Sequence, residues 1–292
     1  MAVSLRQLRY LEALARTRHF GRAARLCAVT QPALSMQIRD LERDLGVALV
    51  ERRAGAVALT PAGEVAAARA EAILAAVRDL EDAARAGAGL LAGSVRLGLI
   101  PSVAPYLLPV LLRAVGERHP ALDLQIRESQ TAALLDELRR GDLDAVVAAL
   151  PVGPDLETLP LRDDPFLVAV AASDAGAWAR ETDPRARLSR ERLLLLEEGH
   201  CLRDQAIQYC GLPEPQTRRA LAAASLATIM SMVAAGHGVT LLPRLCAAEA
   251  RRPGVALVPF PSAPPRRHLA LAWRRSSARR RDFEALAELM RG

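Results

Sequence analysis

Lysine is absent from all 292 residues, so each of the 39 basic side chains is an arginine. That uniformity reads as a compositional habit of the source and carries no mechanism. Also missing is any uninterrupted apolar run long enough to span a bilayer, or a charged start followed by an apolar core and a cleavage site. The expectation is a soluble protein of the cytoplasm, with no membrane partner. Cysteine is scarce, with four in the chain. None forms a CxxC pair or a Cys/His cluster of zinc spacing, so neither a metal nor a cofactor is expected, and a reducing compartment argues against structural disulfides. What remains is a chain that is 51% hydrophobic and long enough for two or three domains with a sizeable core.

The net charge of +6 is unevenly spread. Residues 1–60 carry ten Arg against Glu12, Asp40, Glu42, Asp44 and Glu51. Such a surplus attracts a polyanion through counterion release, which makes nucleic acid the first candidate partner. Leu5, Leu8, Leu11 and Leu14 recur at helical spacing, in a helix fading near Thr17-Arg18. A short helix from Phe20 to Cys27 follows, with Ala23-Ala24 small enough for a close crossing, and Ala28-Val29 then turns into Thr30. Thr30 is placed to cap a third helix, Gln31–Leu45, with Pro32 in its first turn and Leu34, Ile38, Leu41 and Leu45 on its buried side. Its other side offers Gln31, Ser35, Gln37 and Arg39 to base edges and phosphates. An isolated helix of this kind is more often just a solvated amphipathic one. Two helices joined by this turn and rich in arginine instead predict a helix-turn-helix, with Val47 to Thr60, including Arg52 and Arg53, as a β-wing near the DNA backbone.

The run Leu8-x-x-Leu11 … Phe20-x-x-Ala23-Ala24 … Val29-Thr30-Gln31-Pro32-Ala33-Leu34-Ser35-x-Gln37-Ile38-x-x-Leu41-Glu42-x-x-Leu45-Gly46 … Leu59-Thr60-Pro61-Ala62-Gly63 resembles the LysR-type transcriptional regulators. The resemblance implies a DNA-binding regulator that forms dimers pairing into homotetramers and works with RNA polymerase. Val57-Ala58-Leu59 departs from the pattern, because no basic residue follows Arg53 in the wing, and weaker wing contacts are expected. From Pro61 to about Ala86 an Ala-rich helix carries Val65, Ile73, Leu74, Val77 and Leu80 along one side. Pairing with a second copy is the expected cover for that stripe. Glycines 87, 89 and 93 suggest a flexible joint.

Beyond Gly93 strands alternate with helices. Val95–Ile100, a helix from near Ser102 to about His119, Leu122–Glu128, Thr131–Arg140 and Ala145–Ala148 form one set. Phe166–Ala171, Leu193–Leu196, Ser225–Ala235 and Val239–Leu242 form a second, and the chain returns through Leu269–Trp273 and a helix near Arg280–Met290. This pattern predicts parallel sheets with right-handed crossovers and two α/β lobes around a cleft, a periplasmic-binding-protein-like sensing domain. The expected domains are 1–60, 61–92 as linker helix and hinge, and 93–292. Within the last, the first lobe spans about 93–164 and 268–292 and the second about 165–267. Ser102 and Thr131 each follow a strand near a helix start, so their hydroxyls either cap helices or face one crevice.

The cysteines are the remaining chemistry. Cys201 and Cys210 lie nine residues apart. In one continuous helix that separation is roughly 13 Å along opposite faces, against the 7 Å or less that a disulfide needs. Bridging them therefore requires local unfolding. Cys201 follows Gly199, with His200 beside it and Arg203 two residues on, features that favour the thiolate. Cys210 beside Tyr209 is a candidate resolving thiol. Cys27 and Cys246 read as inert buried thiols, and no role is assigned to His237.

Three further runs resemble the hydrogen-peroxide-sensing activators of the same family, over almost the whole chain. They are Leu99-Ile100-Pro101-Ser102-Val103-x-Pro105-Tyr106-Leu107-Leu108-Pro109, Gly199-His200-Cys201-Leu202-Arg203-Asp204-Gln205-Ala206 and Met232–Pro243. This resemblance implies that Cys201 is oxidised by hydrogen peroxide and then bonds Cys210, refolding the intervening segment to switch oxidative-stress genes. A thioredoxin- or glutaredoxin-type reductant would reset it. It also assigns Ser102, Thr131, His200 and Asp204 to support of the peroxide site, with Ser102 where the relatives usually carry Thr. The competing readings are a regulator binding a small metabolite in the cleft and, against the helix-turn-helix, a thiol peroxidase.

Overall fold

The computed structural model describes residues 3–53, 56–85, 89–211 and 221–291. The chain divides into two compact units, residues 1–87 with 139–142, and residues 88–138 with 143–292.

In the first unit, α1 (Leu5–Thr17) opens on a capping box in which the Ser4 hydroxyl accepts from the Gln7 amide and the Gln7 side chain accepts from that of Ser4. α2 (Phe20–Leu26) is capped by His19, whose Nδ1 accepts from the amides of Gly21 and Arg22. It ends at Leu26 with Cys27 as its cap, because Ala28 takes a left-handed φ of 53° that swings the chain toward Thr30. α3 (Gln31–Leu45) has the predicted bounds, started by the Thr30 hydroxyl on the Ala33 amide and stopped by Gly46 in the left-handed region. Leu34, Ile38 and Leu41 pack among Leu11, Leu14, Ala23 and Ala24, all nearly inaccessible. Each such aliphatic side chain contributes about 1.5–3 kcal/mol relative to an exposed one.

β1 (Val50–Arg53) and β2 (Ala56–Leu59) pair antiparallel as the wing. Glu42 on α3 ties the wing down, its Oε1 accepting from the amides of Leu49 and Val50 at 2.8 and 3.1 Å. α4 (Pro61–Arg85) follows, and Gly63 lets it approach the wing: a Cβ there would stand 2.0 Å from the Leu49 carbonyl oxygen. The expected single stripe on α4 is split. Leu74 is buried at 1% exposure, whereas Val65, Ile73 and Leu80 are 64%, 46% and 69% exposed. Consecutive residues differ by about 100° around a helix, so Ile73 and Leu74 cannot share a face. Gly87 of the expected joint lies outside the described residues.

The second unit contains β3 (Gly93–Leu99), α5 (Ala104–Arg118), β4 (Leu122–Glu128), α6 (Thr131–Arg140), β5 (Ala145–Ala149) and β6 (Leu156–Ala171). α7 (Ala175–Ala179), α8 (Pro184–Leu188), β7 (Leu194–Leu196), α9 (Cys201–Cys210), β8 (Leu221–Ala223) and α10 (Leu226–Ala234) come next. β9 (Thr240–Pro243), α11 (Ala247–Ala250), β10 (Val255–Val258), β11 (Arg266–Arg274) and α12 (Arg280–Arg291) complete it. The main sheet runs β10-β6-β11-β5-β3-β4, with β9 also on β6, while β7 and β8 pair separately in parallel.

The expectation of wholly parallel sheets is corrected here. β3 is parallel to both β4 and β5, but β11 inserts between β5 and β6 and runs antiparallel to each, and β9 and β10 meet β6 antiparallel as well. The chain enters β6 from β5 without a helical crossover and returns along it through β11, which is the geometry antiparallel ladders permit. β6 passes from one hydrophobic core to another. The first core gathers β3, β4, β5, α5, α6 and α12 residues, and the second gathers residues of α7 to α10 with the far half of β6.

Candidate functional site

β3 ends at Leu99, and the turn after it buries Ser102. Val103, not Ser102, occupies the cap position of α5, and the Thr131 hydroxyl at the start of α6 makes no capping bond. The capping reading therefore fails for both hydroxyls. Ser102 Oγ instead accepts from Arg267 Nη1 at 2.7 Å, and its carbonyl accepts from Arg267 Nη2 at 3.1 Å and from Cys246 Sγ at 3.5 Å. Arg267 in turn donates to Asp164 at 2.9 Å, a pair with 0% and 2% side-chain exposure, and the other Asp164 oxygen accepts from the Leu245 amide. Because Arg267 and Asp164 face each other in the β11–β6 register, this buried ion pair fastens the two crossing strands where Ser102 sits. Its polar atoms are met on several sides, the condition under which a buried charge pair is tolerated.

Cys201 is the first residue of α9, with His200 at the cap position. A cavity of about 10 Å³ lies against it, lined by Ser102, Gln130, Thr131, His200 and Cys201 and walled by Ile100, Pro101, Leu196 and Leu202. That is room for roughly one water-sized molecule. Thr131 Oγ1 is shut off from solvent and has no hydrogen-bond partner among the described residues, so a small polar molecule in this cavity would meet an unmet group. The structure thus brings Ser102, Thr131, His200 and Cys201 together. Asp204 is not among them: it is exposed on the first turn of α9 and does not line the cavity. Arg203 does not line it either: it donates to the Leu196 carbonyl at 3.1 Å and pins α9 to β7.

Two further features shape the cavity, and one of them, Gln130, is in its lining. Gln130 donates through Nε2 to the Glu198 carbonyl at 3.1 Å, joining the α6 side of the cavity to the loop before Cys201. Gly199 has φ +90°, and a Cβ on it would stand 2.4 Å from Gln130 Oε1, so the Gly-His-Cys run is built around that amide. The signal for Gly199 was its place before a helix; Gln130 carries none.

Both thiols are free, and α9 is one unbroken helix between them. Cys201 is half-buried and packs against the first core. Cys210 is 3% exposed inside the second, where burial pushes its thiol up to about 11 despite the opposing influence of Arg185.

On the nucleic-acid side, Thr30, Gln31, Pro32 and Arg39 are exposed, and Gln31, Ser35 and Arg39 descend one face of α3 at four-residue spacing. Gln37 does not join them. It lies on the opposite flank, half-buried, with its amide 3.4 Å from Asp40. Arg52 and Arg53 lie in β1, but their side chains are outside the described residues.

Among the described residues, no helix is long and apolar enough to cross a membrane, and no group of His, Cys, Asp and Glu is arranged to hold a metal ion.

Residues 5–64 match the bacterial regulatory helix-turn-helix proteins of the lysR family, and residues 88–292 match the LysR substrate binding domain. A probable hydrogen peroxide-inducible genes activator of Streptomyces viridosporus is 46% identical over 99% of this chain and 93% of its own length. The DNA-binding transcriptional dual regulator OxyR of Escherichia coli K12 is 42% identical over 99% and 95%. Among solved structures, a full-length OxyR variant from Pseudomonas aeruginosa superposes with a TM-score of 0.74 at 38% identity, covering 100% of this chain and 95% of that one. A Corynebacterium glutamicum OxyR mutant with hydrogen peroxide bound gives 0.66 at 37% identity, covering 100% and 92%.

Proposed function

This chain belongs to the LysR family of helix-turn-helix transcriptional regulators, among the hydrogen peroxide-inducible genes activators, and from that premise we propose how it senses peroxide. The Cys201 sulfur attacks one oxygen of hydrogen peroxide; the O–O bond breaks, water leaves and Cys201 becomes a sulfenic acid. Cys210 then attacks that sulfur, a second water leaves and the Cys201–Cys210 disulfide forms, the two thiols having supplied the two electrons. A thioredoxin- or glutaredoxin-type dithiol returns them.

The observation that carries this reading is the cavity of about 10 Å³ at Cys201, bordered by the unpartnered Thr131 hydroxyl. It is of the order of one water molecule, so among the candidate ligands only one of a few atoms, such as peroxide, approaches its size. A metabolite calls for some 300–1,000 Å³, so the metabolite reading has no support at this crevice. Ser102, held by Arg267, and His200 are positioning residues for the bound peroxide, and Asp204 drops out of the set. The family is not an enzyme class, and the reaction is stoichiometric: one peroxide throws one switch.

The output is on double-stranded operator DNA in the cytoplasm, read by α3 through Gln31, Ser35 and Arg39 around the Thr30–Pro32 start, with RNA polymerase responding. The exposed Val65, Ile73 and Leu80 of α4 support pairing into a homodimer, two of which make the tetramer. Residues 1–60 read DNA, 61–92 link and 93–292 sense.

The test is Cys201→Ser in a promoter-reporter assay with a parallel DNA-binding measurement. Operator affinity is expected to survive while peroxide-dependent transcription is lost; induction at the wild-type level overturns the assignment.

A further inference from the structure

A second cavity, of about 350 Å³, lies beside the middle of α9 and shares no lining residue with the one at Cys201. Its size falls within the range that holds small organic ligands. Two guanidinium groups border it, Arg185 of α8 and Arg266 of β11, together with Tyr209, Phe166 and Pro265. Arg185 stands 5.8 Å from the centre of the Tyr209 ring, and that ring is itself braced edge-on by Phe260 at 5.6 Å. Gln205 also lines this wall. Two cationic groups, of which Arg266 also meets Asp163 at 3.6 Å, and flat apolar walls together describe the guest: a flat organic anion.

We propose that the reduced protein binds a small aromatic carboxylate of this kind between α8, α9 and the crossing strands, and that the bound anion holds α9 helical against peroxide. Gln205 and Gln208 stand four and seven residues after Cys201, on the same face of α9 and one and two turns further along. Tyr209 adjoins Cys210. The ligand therefore grips the segment that must unwind before the two sulfurs meet, and bridges it to Phe166 and Arg266 at the strand crossing. Anything that binds the helical form alone opposes the unwound form, and oxidation must by linkage release the ligand to the same extent. This regulatory half rests on the proposed Cys201–Cys210 switch; the binding half does not.

The experiment uses the full-length reduced protein and 4-hydroxybenzoate as probe, with inorganic phosphate as comparison, followed by calorimetry. Saturable binding of 4-hydroxybenzoate is expected, weakened about tenfold or more, roughly the worth of one lost charge-assisted contact, by Arg185→Ala and by Arg266→Ala. Phosphate, lacking the ring, is expected to bind more weakly. No saturable binding at millimolar probe, equal affinity for phosphate, or unchanged affinity in both variants overturns the site. Quenched-time-point mass spectrometry then reads disulfide formation with and without probe. Slower formation in wild type and no slowing in Arg185→Ala are expected, and an unchanged rate at saturating probe overturns the regulatory half. If no disulfide forms under any condition the switch itself has failed, while the calorimetry still decides the site.

Discussion

Cys201 packs against one hydrophobic core of the sensing unit, and Cys210, at the other end of the same helix, is buried in a different one. A disulfide between them must break α9 and draw at least one sulfur out of its packing. Hydrogen exchange is the direct reporter: amides 202–210 are expected to be protected in the reduced protein and to exchange faster after oxidation. Cys210→Ser is expected to stop the reaction at the Cys201 sulfenic acid, seen as one added oxygen, with α9 still protected.

The raised Cys210 thiol sets a pH dependence. Below its ordinary value of 9.0 both folded and unfolded chains keep the proton; between 9.0 and about 11 the unfolded chain releases it and the folded one does not. Stability is therefore fully present below pH 9 and falls as pH rises toward 11, by about 1.4 kcal/mol per unit and roughly 3 kcal/mol in all. Denaturant melts of the reduced protein across that window, compared with Cys210→Ala, check it: the variant is expected to lack this component of the slope.

Arg267→Met leaves Asp164 charged and buried without its partner. A loss of about 3–5 kcal/mol is expected, with Arg267→Met/Asp164→Leu recovering part of it. Thermal melts of the three variants measure this, and peroxide reactivity is expected to fall with Arg267→Met because Ser102 loses its donor.

Gly199→Ala places a methyl on Gln130 at a backbone angle that side chains rarely adopt. About 1–3 kcal/mol of strain is expected, together with slower oxidation of Cys201 by roughly tenfold as the cavity is displaced. Stopped-flow kinetics with peroxide, alongside a melt, separates the two effects.

Arg39→Ala is expected to weaken operator binding by about 1–3 kcal/mol if the side chain reads a base. Titration at fixed salt checks it, and Gln37→Ala, turned away and tied to Asp40, is expected to change affinity less.

Where local chemistry marked an element's ends, the sequence was enough to place it. Thr30, Pro32 and Gly46 bracket α3 to the residue, and Leu122–Glu128 and Thr131–Arg140 were equally legible. The first half of β6 was not, because Pro160 and Pro165 lack the amide donor of a regular ladder, although β6 holds them beside β11. At the site, the cysteines and hydroxyls stood out by type, but Asp204 entered through the family resemblance and faces solvent. Arg267 was hidden within Arg266-Arg267-His268, which looks like a solvated charge run. Its inward direction follows only from the strand's alternation, which puts 267, 269, 271 and 273 on one side. Gln130 offered no pattern, since its role depends on a loop distant in sequence.

The most direct test of the account is peptide-mapping mass spectrometry of the purified, fully reduced chain after stoichiometric hydrogen peroxide. The expected product is a Cys201–Cys210 linkage, with Cys27 and Cys246 still reduced. Recovery of both Cys201 and Cys210 as free thiols after that treatment would contradict it.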